Sequence, residues 1–197
     1  GSQSSYNTGI GANTLSGLTL GYENSALGQS SMNSTSTGYE NSAFGSFSLV
    51  SNSTGYQNCA FGRRSMNNNT TGNQNSAFGQ NALYGNQTGF QNTAIGNSSL
   101  LTNSGNYNTA LGYNSGSTIT TGANLTCIGT DAAPTTPTAI DQVTLGNGFV
   151  NSLRCNVQTI TSLSDARDKK NIKDLSLGLD FITKLHPRQF NWDKREW

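Results

Sequence analysis

One tripeptide, Ala followed by a large apolar residue and Gly, or a close variant of it, returns along most of this chain at fixed spacing. Its glycines are Gly11, Gly28, Gly45, Gly62, Gly79, Gly96, Gly112, Gly129 and Gly146. The steps are 17 residues, except for one of 16 between Gly96 and Gly112. A second series, Gly21, Gly38, Gly55, Gly72, Gly89, Gly105 and Gly122, runs seven residues ahead of its partners and carries the same deletion. Two columns that shift together mark a structural period. The missing residue falls between Gly96 and Gly105, which identifies that stretch as a tolerant turn. A unit this short cannot bury its own apolar face and must stack on its copies.

The unit reads approximately T-G-Y-x-N-S-A-F-G-x-x-S-L-x-x-N. Its largest apolar column precedes the Gly: Ile10, Leu27, Phe44, Phe61, Phe78, Ile95, Leu111, Ile128 and Leu145. A second column follows four residues after the Gly: Leu15, Met32, Leu49, Met66, Leu83 and Leu100. A third is aromatic in most coils, with Tyr22, Tyr39, Tyr56, Phe90 and Tyr107. An Asn column, Asn24, Asn41, Asn58, Asn75, Asn92 and Asn108, stands between them. The N-S-A-F-G stretch alternates with the period of a strand, and the Gly and Asn residues that interrupt it tolerate positive φ. The pattern predicts an all-β, parallel β-solenoid over residues 1–130, each coil holding two strands of four to five residues joined by tight corners. Stacking about 4.8 Å apart pairs each coil with its neighbours, and the Asn amides can bond along the axis.

Only 32% of the 197 residues are apolar, against roughly 45–50% in an ordinary globular domain with Gly counted. One apolar column per face gives a thin core. The expectation is therefore a homotrimer, three chains around one axis with the second or third column buried between them. The competing expectation is a monomeric solenoid with exposed Tyr and Phe rungs.

Charge excludes several function classes. Residues 1–163 carry Arg63, Arg64 and Arg154 against Glu23, Glu40, Asp131 and Asp141, with no basic stripe to neutralise phosphates, so nucleic acid is not an expected partner. No run of 18 or more apolar residues appears, so no membrane insertion is expected. No repeat holds a fixed carboxylate pair, which argues against carboxylate catalysis and calcium-binding repeats, and no cofactor or metal site is expected. Cys59, Cys127 and Cys155 are too scattered for a disulfide framework; the first two read as small packed hydrophobes, and Cys155 could pair across chains. An ice-binding surface is a further alternative, on the column Thr37, Thr54, Thr71, Thr88 and Thr121. Ser104 interrupts that column, and no second column makes a flat array.

Beyond Gly129 the pattern loosens at Asp131-Ala-Ala-Pro-Thr-Thr-Pro137, a linker by composition. Gln142–Gly146 and Val157–Thr161 read as strands of a β stalk, which places residues 131–163 in a linker and stalk. At Ser164 the chemistry turns abruptly charged, with eight Lys/Arg and six Asp/Glu over residues 164–197. Leu177, Phe181 and Leu185 lie at helical spacing, and Pro187 ends that helix. Phe190 and Trp192 alternate as in a strand, and His186 reads as a helix-end residue.

The repeats, best carried by Asn75-Ser-Ala-Phe-Gly79 and Asn108-Thr-Ala-Leu-Gly112, resemble the Asn-Thr-Ala-Ile-Gly-type repeats of phage and viral tail fibres. More distantly they resemble the heads of bacterial trimeric adhesins. The resemblance implies a parallel trimer on the virion surface or another extracellular surface, and attachment to a host-surface receptor such as a glycan. The C-terminal stretch, through Ser164-Asp165, Arg167, Lys169 and Asn171-Ile172, resembles the start of the self-cleaving intramolecular chaperone of endosialidase tail spikes. That family guides fibre trimerisation and cuts itself off before the motif serine. Carried over, residues 164–197 are the N-terminal part of the chaperone, a short α+β fragment, and the scissile bond is Leu163–Ser164. Ser164 is then the nucleophile of a single-turnover autoprotease and Lys169 its general base, supported by Asp165 and Arg167. A Ser hydroxyl needs such a base. A Lys accepts its proton near neutral pH only when desolvated or set beside cations such as Arg167 and Lys170.

Overall fold

The structure, a computed structural model, describes residues 5–152 and Arg154. The chain divides into two units, Gly1–Leu153 and Arg154–Trp197, and every described strand lies in the first. There are nine strands: β1 (Thr8–Ile10), β2 (Ser25–Leu27), β3 (Ser42–Phe44), β4 (Cys59–Phe61), β5 (Ser76–Phe78), β6 (Thr93–Ile95), β7 (Thr109–Leu111), β8 (Thr126–Ile128) and β9 (Val143–Leu145). They form one parallel sheet in chain order, each strand paired with the equivalent residues of the next coil. The register is Ala43↔Ala60 and Phe44↔Phe61, and it absorbs the 16-residue coil without a slip, at Ala94↔Ala110. Among the described residues there is no helix. The fold is the parallel β-solenoid that the repeat predicts.

Each coil holds one strand of three residues, shorter and fewer than the two strands of four to five read from the sequence. The cause is the backbone. Three positions per coil lie in the left-handed region and bend the chain too sharply for a second strand. One is the residue before the ladder Asn, as at Glu40 and Gln57, each with φ 54°. The second lies two residues after the strand glycine, as at Arg64 and Asn81, each with φ 58°. The third carries the second apolar column, from Met32 and Leu49 (φ 49°) to Leu83 (φ 51°). None of these residues is β-branched, which fits the steric limits of positive φ. It also explains why the second column contains only Leu and Met. In the next coil the position is Gly116, φ 63°, and the Ile119 side chain fills the space beside it.

The strand alternation places Ala inward and the large residue outward: Ala43, Ala60, Ala77 and Ala94 are fully buried. The second column, Met32, Leu49, Met66, Leu83 and Leu100, completes the core and is also fully buried within the one chain. That removes this column from the two expected to lie between chains. Tyr107 does not stand in the aromatic column either. It occupies the left-handed position equivalent to Gln91, φ 60°, while Asn106 takes the aromatic slot.

Half of the interior is polar. Asn24, Asn41, Asn58, Asn75, Asn92 and Asn108 are buried and form a ladder. The Asn58 backbone N–H and Nδ2 both donate to Asn41 Oδ1 (3.0 and 3.1 Å), and Nδ2 also donates to the Gly72 carbonyl at 2.8 Å. Asn58 Oδ1 in turn accepts from the backbone N–H and Nδ2 of Asn75, at 3.1 and 3.2 Å. Every amide group in mid-ladder is thereby satisfied, as a buried amide requires. A second ladder, absent from the sequence reading, joins Asn52, Asn69 and Asn86 through Nδ2-to-Oδ1 bonds of 2.8 and 2.9 Å. It ends at the short coil, where Asn103 Nδ2 keeps the bond to its own coil's glycine (Gly105 carbonyl, 3.0 Å), as Asn69 and Asn86 do, but gives none to Asn86 Oδ1, which is left without a partner. Past that point Ile119 and Leu125 replace Asn in the two columns, and the core becomes apolar. The ladder of strands continues through β9, whose Val143 pairs with Thr126.

The strand glycines are indispensable for a different reason. Gly45 has φ 139°, and a Cβ built on it would lie 2.6 Å from the carbonyl oxygen of Gly62 in the next coil. Gly45→Ala is expected to destabilise the fold by roughly 3–5 kcal/mol, combining backbone strain with overlap, while the exposed Gln80→Ala changes stability by less than about 0.5 kcal/mol. Asn58→Ala strips a partner from Gly72, Asn41 and Asn75 together, so its cost is set at roughly 3–6 kcal/mol. Urea midpoints of the three variants check all three numbers.

Candidate functional site

The outward column of the sheet is apolar along its whole length. Leu27, Phe78, Ile95, Leu111, Ile128 and Leu145 are exposed, between 40% and 50% of their full surface. Phe44 and Phe61 between them are half-buried because their rings stack, 4.6 Å apart and 9° from parallel; Phe61 and Phe78 continue the stack at 5.2 Å. Two residues before each of these side chains the same face carries Ser42, Cys59, Ser76, Thr93 and Thr109, small and weakly polar. A continuous stripe of large apolar side chains bordered by small hydroxyls is the composition of a contact surface.

A second stack lies at the corner that leads into the strand. Tyr22, Tyr39 and Tyr56 are half-buried and parallel, each ring 4.9 Å from the next. Asn73 interrupts the column, and Phe90 then meets Tyr107 edge-on at 5.1 Å. Desolvation, then the neighbouring Tyr56, Tyr22 and Glu40, pushes the Tyr39 phenol above its usual range. It is neutral at physiological pH and can donate or accept a hydrogen bond. Alongside, Gln57 Nε2 donates to Glu40 at 2.8 Å and Gln74 to Gln57 at 3.2 Å, extending the amide rungs onto the surface.

Cys59 faces outward and Cys127 inward, and burial raises both thiols above the ordinary cysteine value. Both are thiols, not thiolates, at neutral pH, which fits packing and not nucleophilic chemistry. Among the described residues no group of His, Cys, Asp and Glu is placed to hold a metal ion, and no helix is long and apolar enough to cross a membrane. Ser164, Lys169, Asp165, Arg167 and the Leu163–Ser164 bond lie outside the described residues, as do Cys155, Lys170 and His186.

The third candidate column is thus partly a surface feature, and the first, read only as the largest residue of the unit, is the dominant exposed face. Sequence alone could not separate them, because both columns hold aromatic and aliphatic residues at the same period.

Residues 164–196 match the family model described as chaperone of endosialidase. No curated protein matches the chain. A parallel β-solenoid followed by this segment fits a tail fibre with a C-terminal chaperone domain.

Proposed function

We propose that this chain is an adhesive segment of a trimeric virion tail fibre, in which residues 164–197 belong to a chaperone that assembles the trimer and then cuts itself away. The match of residues 164–196 to the chaperone family, downstream of a fibre-like repeat, carries the reading. In this reading residues 1–130 are the attachment shaft and residues 131–163 join it to the chaperone.

The exposed ladder from Leu27 to Leu145 is the face that three chains pool around their axis. Left in water it is a liability over eight turns; against two copies of itself it becomes the second half of a core that one chain is too thin to build. A threefold arrangement suits a face that repeats at one coil spacing, since each rung then meets its own equivalents.

The chemistry is a single turnover. The Ser164 hydroxyl attacks the Leu163 carbonyl while neutral Lys169 takes its proton. The Leu163–Ser164 C–N bond breaks as the amine is protonated, and one water hydrolyses the resulting ester. The products are a Leu163 carboxylate and an amino terminus at Ser164.

Two measurements test the reading. Intact mass of the full-length protein is expected to show a product ending at Leu163, absent from Ser164→Ala; an uncut chain in both would remove the protease assignment. Light scattering is expected to give three times the chain mass, reduced toward the monomer by Phe61→Glu with Phe78→Glu. A wild-type monomer would sink the trimer, and an intact trimer in the double variant would move the axis off this ladder.

A further inference from the structure

A repeat that only builds a rod gains nothing by varying its outer surface, so a place where several columns depart together points to a separate role. Residues 62–105 contain such a place. Arg64 puts a cation in a column where the next two coils carry Asn81 and Ser98. Tyr84 stands where the coil before has Asn67. Gly85, like Gly17, carries no side chain where Ser34, Ser51, Asn68 and Thr102 carry one. One coil further on, the chain is a residue short between Asn103 and Gly105, and the corner draws in.

Together these departures open a groove of about 600 Å³, with Arg64, Asn68, Asn81, Tyr84, Gln87 and Ser104 on its walls. The size falls within the ~300–1,000 Å³ of small-molecule sites. Among the described residues these six side chains make no hydrogen bond within the chain, whereas Thr102 at the rim is committed to the Ser117 and Ile119 carbonyls. That contrasts with the interior amides, which are bonded on both sides. No carboxylate lines the groove, and Arg64 has no acidic partner among the described residues. A guanidinium free of local compensation pairs with a carboxylate through two parallel bonds. The Tyr84 ring offers an apolar face, and three amides and a hydroxyl offer donors and acceptors for hydroxyl groups. An apolar peptide would find only Leu101 and the Tyr84 ring as anchors, and a phosphate would find one cation and no helix terminus.

We propose that this groove binds a carboxylated sugar, a hexuronate unit of a surface polysaccharide. Arg64 takes the carboxylate, the Tyr84 ring packs on the C–H face of the pyranose, and Asn68, Asn81 and Gln87 take its hydroxyls. The proposal rests on the attachment reading and gives it a ligand class. One such site is weak, and three copies in a trimer raise its effective concentration.

The test is an NMR titration of the intact protein with methyl glucuronide and with its neutral twin, methyl glucoside. The glucuronide is expected to bind about tenfold tighter, the scale of one charge-assisted pair. Arg64→Gln is expected to erase that preference, and Tyr84→Ala to weaken both sugars. Arg63→Gln, exposed on the neighbouring residue but outside the groove, is expected to change neither. Equal affinity for the two sugars, no binding of the glucuronide, or indifference to Arg64→Gln would overturn the proposal. A cell-binding assay separates it from the attachment reading. Host cells that still bind the Arg64→Gln protein leave attachment standing on another surface. A wild type that binds glucuronide but no cell removes attachment and keeps the groove.

Discussion

Every coil of this protein depends on its backbone finding partners in the coils above and below it. With three residues per turn in regular strand and three more in the left-handed region, no coil satisfies itself. The cross-section is so narrow that bent backbone faces the interior, where unpaired carbonyls and N–H groups are costly. Asn solves that problem because a single planar amide both donates and accepts. Asn58 reaches the Gly72 carbonyl in the next coil while its oxygen receives Asn75. The ladder is therefore a backbone-satisfying device, and its regularity follows from the constraint that each amide serves the coil on either side.

The same narrowness decides which side chains point inward. In a wide sheet the larger residue of an alternating pair faces the core. Here the strand turns Ala, or Cys127 in β8, inward and Phe, Leu or Ile outward, because only a small side chain fits between the strand and the Met/Leu column. The period, the Gly and Asn columns and the parallel stacking were legible in the sequence, since each leaves a residue at a fixed spacing. The direction of each apolar column was not. Alternation gives the two faces of a strand without saying which is inside, and both faces here are apolar. The left-handed positions were also hidden, because Glu40, Gln57 and Leu83 are not residue types that announce positive φ. Their common signature is negative, the absence of Val, Ile and Thr, and it emerges only once the coils are in register. The chaperone motif was legible from its residues, and its geometry lies outside the described part of the chain.

Where the constraint relaxes, the chain changes character. The lost residue between Asn103 and Gly105 costs Asn86 a partner and ends the second ladder. From there Ile119, Leu125 and Ala132 take over the interior and no longer need an amide rung. The groove beside Arg64 and Tyr84 lies at the same junction. Its Arg64 and Tyr84 walls stand on coils whose ladders are intact through Asn69, Asn86 and Asn92, and its Ser104 end meets the short coil.

Uniform stacking also carries a folding problem. A coil displaced by one full repeat would meet nearly the same partners: Ala on Ala, Asn on Asn, Phe on Phe. Such registers differ little in energy. Two features break the degeneracy. The 16-residue coil fits only one place in the stack, and the apolar interior after Asn108 cannot receive an Asn rung without leaving it unpaired. Both lie toward the C-terminal end, the end on which residues 164–196 carry the chaperone match. A register set there and propagated toward the N-terminus would extend from the least degenerate coils into the most repetitive ones. The reverse order would commit the interchangeable coils first and leave any slip to be discovered at the short coil, after most of the ladder had formed.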